Sequence, residues 1–239
     1  MADRVSPTIV ATVTAPNTTT DPIAAPVPAV VAARNTGRIV RSGEAAAPNG
    51  IMIDKGEWLD EQEIVMGCFL LMAAGNDSTK ATYCSGMRAL LEQPDQRRLL
   101  LEHPSLIPSA VEESLRMFPA FAHFARTATR DTELGGQSIR RGEKVVMWYA
   151  SSGREEDRYA EPDRFDVRRN PEHQAFGAGG RHFCLGTALA RLELRVLFEE
   201  TLARYPRMEL AGVPTWVVST FVNQLKSLPV RLAPVSAAR

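Results

Sequence analysis

The residues best suited to chemistry in this 239-residue chain lie in one loop, around Cys184. The string Phe176-Gly-Ala-Gly-Gly-Arg-His-Phe-Cys-Leu-Gly186 has three glycines in four positions. Such a backbone can turn tightly and approach a flat group closely. A helix is predicted to begin directly after the cysteine, and the unpaired N–H groups of a helix amino terminus favour an anion. The loop therefore predicts a stabilised cysteine thiolate.

Other interpretations of the loop remain open on these residues alone. A glycine-rich turn with a buried, inert cysteine fits about equally well. A G-x-G-x-x-G nucleotide site fits poorly, because its third glycine would fall at His182 and the preceding residues 171–175 make a poor strand. Zinc fits less well still, because His182 and Cys184 have no evident second pair of ligands at metal spacing.

The elements that must position this loop are mostly helical. Residues 64–74 are apolar on all sides, which predicts a buried helix, and residues 80–93 can continue it. Pro94 and Pro108 each open a further helix in its first turn, the second running to about Phe118. The remaining predicted elements are strands over 125–133 and 144–149, a loop-rich stretch over 151–180, an amphipathic helix over 185–205 and a closing hairpin over 217–232. The fold class is therefore mainly α with small β-sheets.

Composition narrows the class of protein. Lysine plus arginine equals aspartate plus glutamate at 28 each, so the chain lacks the basic surplus of a nucleic-acid binder. Its three scattered cysteines do not form a disulfide framework, which favours a reducing cytoplasm. The longest apolar run is too short to cross a bilayer. Residues 1–48 are a low-complexity segment rich in Ala, Pro, Thr and Val, which predicts disorder, and prolines interrupt any signal-peptide core there.

Two further motifs flank the loop in the sequence. Glu113 and Arg116 are spaced i, i+3 on one predicted helix face, and Pro162-Asp-Arg-Phe165 follows them before the cysteine. The apolar helix runs into Ala74-Gly-Asn-Asp-Ser-Thr79. The hydroxyls of Ser78 and Thr79 can bond to carbonyls one turn back and loosen the helix. A simple helix boundary, capped by Asp77 or Ser78, is an equally good interpretation.

Together these motifs resemble the cytochrome P450 family, in the family's own order. The small-Gly-x-acid-alcohol segment is similar to its oxygen-activation helix, and the E-x-x-R pair and the P-x-R-F element precede a loop similar to its cysteine-ligand loop. The resemblance extends from about Trp58 to the end, which makes residues 49–239 the carboxyl-terminal part of a P450 domain. The loop has one residue more between Phe176 and Cys184 than the commonest pattern. Some actinobacterial members that oxidise steroids and branched lipids share that longer loop.

The resemblance implies roles for particular residues. Cys184 would ligate the iron of haem b (iron protoporphyrin IX), within a loop whose matching residues are Phe176, Gly177 and Gly186. Arg126 and His182 would bind the haem propionates.

Two further groups follow from the same resemblance. Asp77, Ser78 and Thr79 would deliver protons, with Ser78 standing where threonine is usual. Glu113, Arg116 and Arg164 would form a buried ionic triad that holds the proximal side of the haem.

The activity so implied is a haem-thiolate monooxygenase that inserts one oxygen atom of O2 into a hydrophobic substrate, with a steroid or branched lipid indicated by the long loop. Electrons would come from a separate ferredoxin and ferredoxin reductase, and Arg181, Arg191 and Arg195 would form a basic docking patch. Nothing before residue 50 resembles the family. The alternative is therefore a truncated, non-catalytic P450 remnant that binds haem weakly or not at all.

Overall fold

The computed structural model describes residues 59–177 and 182–232, and the chain divides into two compact units between Asn76 and Asp77. The helices are α1 (Glu61–Glu92), α2 (Pro94–Glu102), a 3-10 turn (Pro104–Leu106), α3 (Ile107–Met117), α4 (Tyr149–Ser152) and α5 (Thr187–Arg204). The strands are β1 (His123–Thr127), β2 (Thr132–Leu134), β3 (Gln137–Ile139), β4 (Lys144–Trp148), β5 (Glu209–Leu210), β6 (Thr215–Trp216), β7 (Leu225–Ser227) and β8 (Val230–Arg231). The mainly helical fold with small sheets is confirmed.

Helix α1 begins with a capping box. The backbone N–H of Glu63 donates to Asp60 Oδ1 at 2.8 Å, and the backbone N–H of Asp60 donates to Glu63 Oε2 at 3.0 Å. The helix then continues without a break through Asp77 and Ser78, so the predicted alternative of a boundary there is wrong.

The two halves of α1 differ in burial. The second half buries small and apolar side chains such as Ala81, Ala89 and Leu90. The prediction that residues 64–74 are buried is wrong for this chain, since Phe69 is 60% exposed and Met72 is 67% exposed. An all-apolar composition shows that a helix can be buried, but a packing partner decides whether it is.

The core of the larger unit is built from buried side chains of the second half of α1 and of α2, α3 and α5. Pro94 and Pro108 stand in the first turns of α2 and α3, as predicted. Helix α5 presents Leu194, Phe198 and Leu202, four residues apart, to this core. The segment after α4 adds two fully buried side chains to the same core, which are Phe165 and Val167.

The strands form four two-stranded antiparallel sheets among the described residues, with the orders β1-β4, β2-β3, β5-β8 and β6-β7. The predicted strand over 125–133 is divided, because its second part turns at Gly135 and Gly136 into the hairpin β2-β3. Both glycines have positive φ, +57° and +78°, as a tight hairpin turn requires. The predicted closing hairpin over 217–232 is misplaced, since the closing strands are two nested ribbons that begin at Glu209.

No helix within residues 59–177 and 182–232 is both long enough and apolar enough to span a membrane.

Candidate functional site

The cysteine loop is joined at its two described ends by one backbone hydrogen bond. The N–H of Cys184 donates to the carbonyl of Phe176 at 3.0 Å. On the other side, the carbonyl of Cys184 accepts from the Thr187 hydroxyl at 2.6 Å, at the point where Gly186 leads into α5. Gly177 adopts φ +90°, a left-handed conformation that only glycine reaches without strain. The other residues of the glycine-rich turn, 178–181, lie outside the described part of the chain.

The side chains around the sulfur are unusually exposed for their chemistry. Cys184 and His182 are exposed, and the apolar neighbours Phe183 and Leu185 are 44% and 67% exposed. A cluster of exposed apolar side chains commonly marks a surface that a ligand or partner covers. A flat, largely apolar group with an iron atom suits both the exposed sulfur and its apolar surroundings, so these residues fit haem.

Glu113 and Arg116 form a fully buried bidentate ion pair. Arg116 Nε donates to Glu113 Oε2 at 2.7 Å and Nη2 donates to Oε1 at 2.8 Å, and both side chains are 0% exposed. Arg116 also donates to main-chain carbonyls of the segment after α4, those of Gly153, Pro162 and Arg164. The i, i+3 spacing put the two side chains on one helix face, whereas their burial was expected only from the family resemblance. The extra hydrogen bonds offset the cost of burying the pair.

The second arginine of this cluster is Arg169, and the prediction of Arg164 is wrong. Arg169 Nε donates to Glu113 Oε1 at 3.2 Å, and its side chain is 15% exposed. The guanidinium of Arg164 instead pairs with Glu161 at 2.9 Å in solvent. Arg164 contributes only its main-chain carbonyl, which Arg116 and Arg169 both contact.

A second cluster on α3, which sequence analysis missed, is centred on Glu112. Its carboxylate accepts from Arg191 Nε at 2.6 Å and from Arg191 Nη2 at 2.9 Å, and Glu112 Oε2 lies 2.9 Å from His173 Nε2. Burial alone would raise the pKa of Glu112, but the hydrogen bonds of His173 and Arg191 outweigh it and lower the pKa to about 2. No local spacing signals this cluster, because His173 and Arg191 lie 61 and 79 residues from Glu112.

Two arginines of the predicted docking patch also have carboxylate partners. Arg191 is bound to Glu112, and Arg195 lies 3.7 Å from Glu199 on the same helix. Both positive charges are therefore balanced by a nearby carboxylate. Arg181, the third residue of the patch, lies outside the described residues.

The remaining predicted residues lie on β1 and α1. Arg126 is exposed on β1, where its guanidinium donates to the adjacent carbonyl of Ala125 at 2.9 Å. That bond leaves further N–H donors for a carboxylate. On α1, Asp77 is exposed and pairs with Lys80 at 2.9 Å, Ser78 is half-buried and Thr79 is buried.

A profile of the family described as "Cytochrome P450" matches residues 50–214 of the chain. A methyl-branched lipid omega-hydroxylase of Mycobacterium bovis is 41% identical over 177 residues, which are 73% of this chain and 41% of that protein. A steroid C26-monooxygenase of Mycobacterium tuberculosis is 40% identical over 183 residues, which are 75% of this chain and 49% of that protein. The chain thus spans less than half the length of these relatives.

Solved structures give the same result for the fold. The crystal structure of CYP109E1 from Bacillus megaterium in complex with testosterone matches with a TM-score of 0.72 and 35% identity, over 75% of this chain and 50% of that one. The structure of CYP108D1 from Novosphingobium aromaticivorans matches with a TM-score of 0.71 and 40% identity, over 77% of this chain and 45% of that one.

Proposed function

Because the chain belongs to the cytochrome P450 family, we propose that it is a haem-thiolate monooxygenase that inserts one oxygen atom of O2 into a hydrophobic organic substrate. The observation that carries the proposal is the exposed sulfur of Cys184. This residue lies just before α5, and its N–H is hydrogen-bonded to the carbonyl of Phe176. Haem b, bound through this thiolate, would supply the activation of O2 and the transfer of one oxygen atom into a C–H bond.

The residues of this chain would bind and orient that group. Cys184 would provide the thiolate, and the α5 amino terminus would stabilise its negative charge. Arg126 and His182 would bind the propionate carboxylates, for which a guanidinium is well shaped. Phe176, Gly177 and Gly186 would shape the loop around the thiolate.

Asp77, Ser78 and Thr79 would hold and move protons. Asp77 is exposed and Thr79 is buried one position beyond Ser78, so the three span the change from solvent to interior along one turn of α1. A carboxylate at the solvent end can take up a proton, and hydroxyls can pass it inward.

The buried cluster of Glu113, Arg116 and Arg169 would keep the proximal side rigid without taking part in chemistry. It joins α3 to the segment that precedes the cysteine loop through Asp166, whose N–H donates to Glu113 Oε1 at 2.9 Å. Rigid support matters because a ligand displaced by a fraction of an ångström binds iron poorly.

The named relatives indicate the class of substrate and partner. The relatives named for a methyl-branched lipid and for a steroid favour a large, apolar substrate. We propose a ferredoxin with its reductase as the electron source and the cytoplasm as the compartment. Three cysteines that are all free thiols agree with a reducing environment.

A second candidate is a remnant that binds haem weakly or not at all. The exposed apolar side chains of α1, such as Phe69 and Met72, favour it, since an intact haem pocket would cover apolar surface.

The absorption difference spectrum of the reduced, carbon-monoxide-treated protein separates the two candidates. A strongly red-shifted Soret band is expected for thiolate ligation, with loss of that band in Cys184→Ala and retention in Cys68→Ala, a matched change at another exposed cysteine. Absence of the band in soluble, haem-supplied protein would exclude the monooxygenase and support the remnant. Oxidation of a steroidal or branched fatty substrate with a ferredoxin system would then test turnover.

A further inference from the structure

Glu112 connects the two elements that flank the cysteine loop. His173 lies in the segment before the loop, and Arg191 lies on α5, the helix that follows it. Both bind the same carboxylate on α3. Neighbouring Glu113 binds Arg116 and Arg169 instead, so two adjacent acids on α3 hold two different parts of the chain.

The hydrogen bonds of His173 define its tautomer. The backbone N–H of Ala175 donates to His173 Nδ1 at 3.2 Å, so Nδ1 must carry a lone pair rather than a proton. The proton of the neutral ring is then on Nε2, which donates to Glu112 at 2.9 Å. The imidazole, only 3% exposed, thus links the carboxylate to the backbone one residue before Phe176.

Phe176 is the point where the cluster meets the loop. The Arg191 guanidinium lies over the Phe176 ring, 4.9 Å from its centroid, and the His173 ring lies 5.6 Å away. The carbonyl of Phe176 accepts the N–H of Cys184. A continuous chain of contacts therefore runs from Glu112 through His173 and Arg191 to Phe176 and on to the cysteine.

We propose that Glu112 is a positioning residue for Cys184: through His173 and Arg191 it fixes Phe176 and the start of α5, and these fix the place of the sulfur. The proposal rests on the proposed function insofar as that sulfur is to bind haem. The effect on the loop itself exists in the protein without haem and can be measured there.

Hydrogen exchange of the Cys184 amide in the haem-free full chain tests this directly. In Glu112→Ala the exchange is expected to be about tenfold faster or more, the factor for loss of a charge-assisted hydrogen bond that holds the loop closed. Exchange in the interior of α2, which takes no part in the hydrogen bonds of Glu112, is expected to stay unchanged. The matched control is Glu199→Ala, which removes the carboxylate facing Arg195 on the exposed side of α5 and should leave the Cys184 amide unaffected.

Milder variants keep the test decisive if Glu112→Ala fails to fold. Glu112→Gln retains the shape and an acceptor oxygen, so a smaller acceleration is expected. Arg191→Lys retains the charge but loses the two-point contact and the flat group over Phe176. If both leave Cys184 exchange at the wild-type rate, Glu112 does not position the loop and the proposal is wrong.

A second readout follows the sulfur itself. In haem-loaded protein, Glu112→Gln is expected to shift part of the carbon monoxide complex from the red-shifted thiolate band to the less shifted band of a displaced or protonated ligand, while Glu199→Ala retains one band. A wild-type band with no effect of Glu112→Gln would overturn the positioning role alone. An absent wild-type band with altered Cys184 exchange would overturn the proposed function and leave the positioning role in place.

Discussion

On α3, Glu113 and Arg116 are charged and wholly buried, whereas on the first part of α1, Phe69 and Met72 are apolar and more than half exposed. The difference lies in their partners rather than in their polarity. Every charged atom of the α3 pair has a hydrogen-bond partner, so its burial is satisfied. The first part of α1 has formed a helix whose exposed large apolar side chains have no packing partner among the described residues. A charged side chain can be buried when all its polar atoms are hydrogen-bonded, whereas an apolar side chain stays exposed when no other element packs against it.

The largest expected effect comes from removing one member of the buried pair. Glu113→Ala should lower the free energy of unfolding by about 3–5 kcal/mol, because Arg116 would remain buried with an uncompensated charge. Urea unfolding followed by circular dichroism measures the loss. Glu161→Ala removes the carboxylate from an exposed arginine pair and should cost less than about 0.5 kcal/mol. Equal losses in the two variants would show that burial does not distinguish these pairs.

The next effect distinguishes the two arginines after α4. Arg169→Ala removes hydrogen bonds to Glu113 and to main-chain carbonyls, and should cost about 1.5–3 kcal/mol. Arg164→Ala removes only an exposed pair and should cost less than about 0.5 kcal/mol. Thermal or urea unfolding of the two single variants provides the comparison. A larger loss of unfolding free energy for Arg164→Ala than for Arg169→Ala would show that Arg164, rather than Arg169, belongs to the buried cluster.

A smaller effect depends on pH and concerns Glu112. The pKa of this carboxyl lies at about 2 in the folded chain, below its ordinary value of 4.5, because His173 and Arg191 bind the ionised form more strongly than burial opposes it. Its contribution to stability is therefore full above pH 4.5 and is lost as the pH falls towards 2. The difference in urea midpoint between wild type and Glu112→Gln should shrink across that window. A difference that stays constant would mean that the ionised carboxylate adds no stability.

The smallest effect on stability is expected on the exposed part of α1. Leu71→Glu should change the free energy of unfolding by less than about 0.5 kcal/mol, since the side chain is 59% exposed. It should reduce self-association, which gel filtration at increasing protein concentration can measure. The same change at Leu90, buried on the second half of the helix, should prevent folding. If Leu71→Glu also unfolds the chain, the apolar face is packed in solution.

Local patterns predicted what local physics decides. The prolines placed α2 and α3, and i, i+3 spacing paired Glu113 with Arg116. The segment after α4 offers arginines at 164 and 169, and no periodicity in a loop indicates which of them turns inward.

The missed elements depend on distant residues. The Glu112 cluster joins side chains from three segments that only the tertiary fold brings together. The closing ribbons shifted towards Glu209 because strands of two or three residues are set by pairing rather than by their own sequence.

Arg116 binds the segment after α4 through carbonyl oxygens, which every amino acid possesses. The side chains at 162 and 164 can therefore vary among related sequences without weakening the hydrogen bonds of Arg116, provided that the main chain keeps the same path. Gly153 is the exception, because a Cβ there would overlap the carbonyl oxygen of Arg116. In related sequences the backbone path of this segment should thus be conserved more strongly than its residue types, with Gly153 as the one invariant residue.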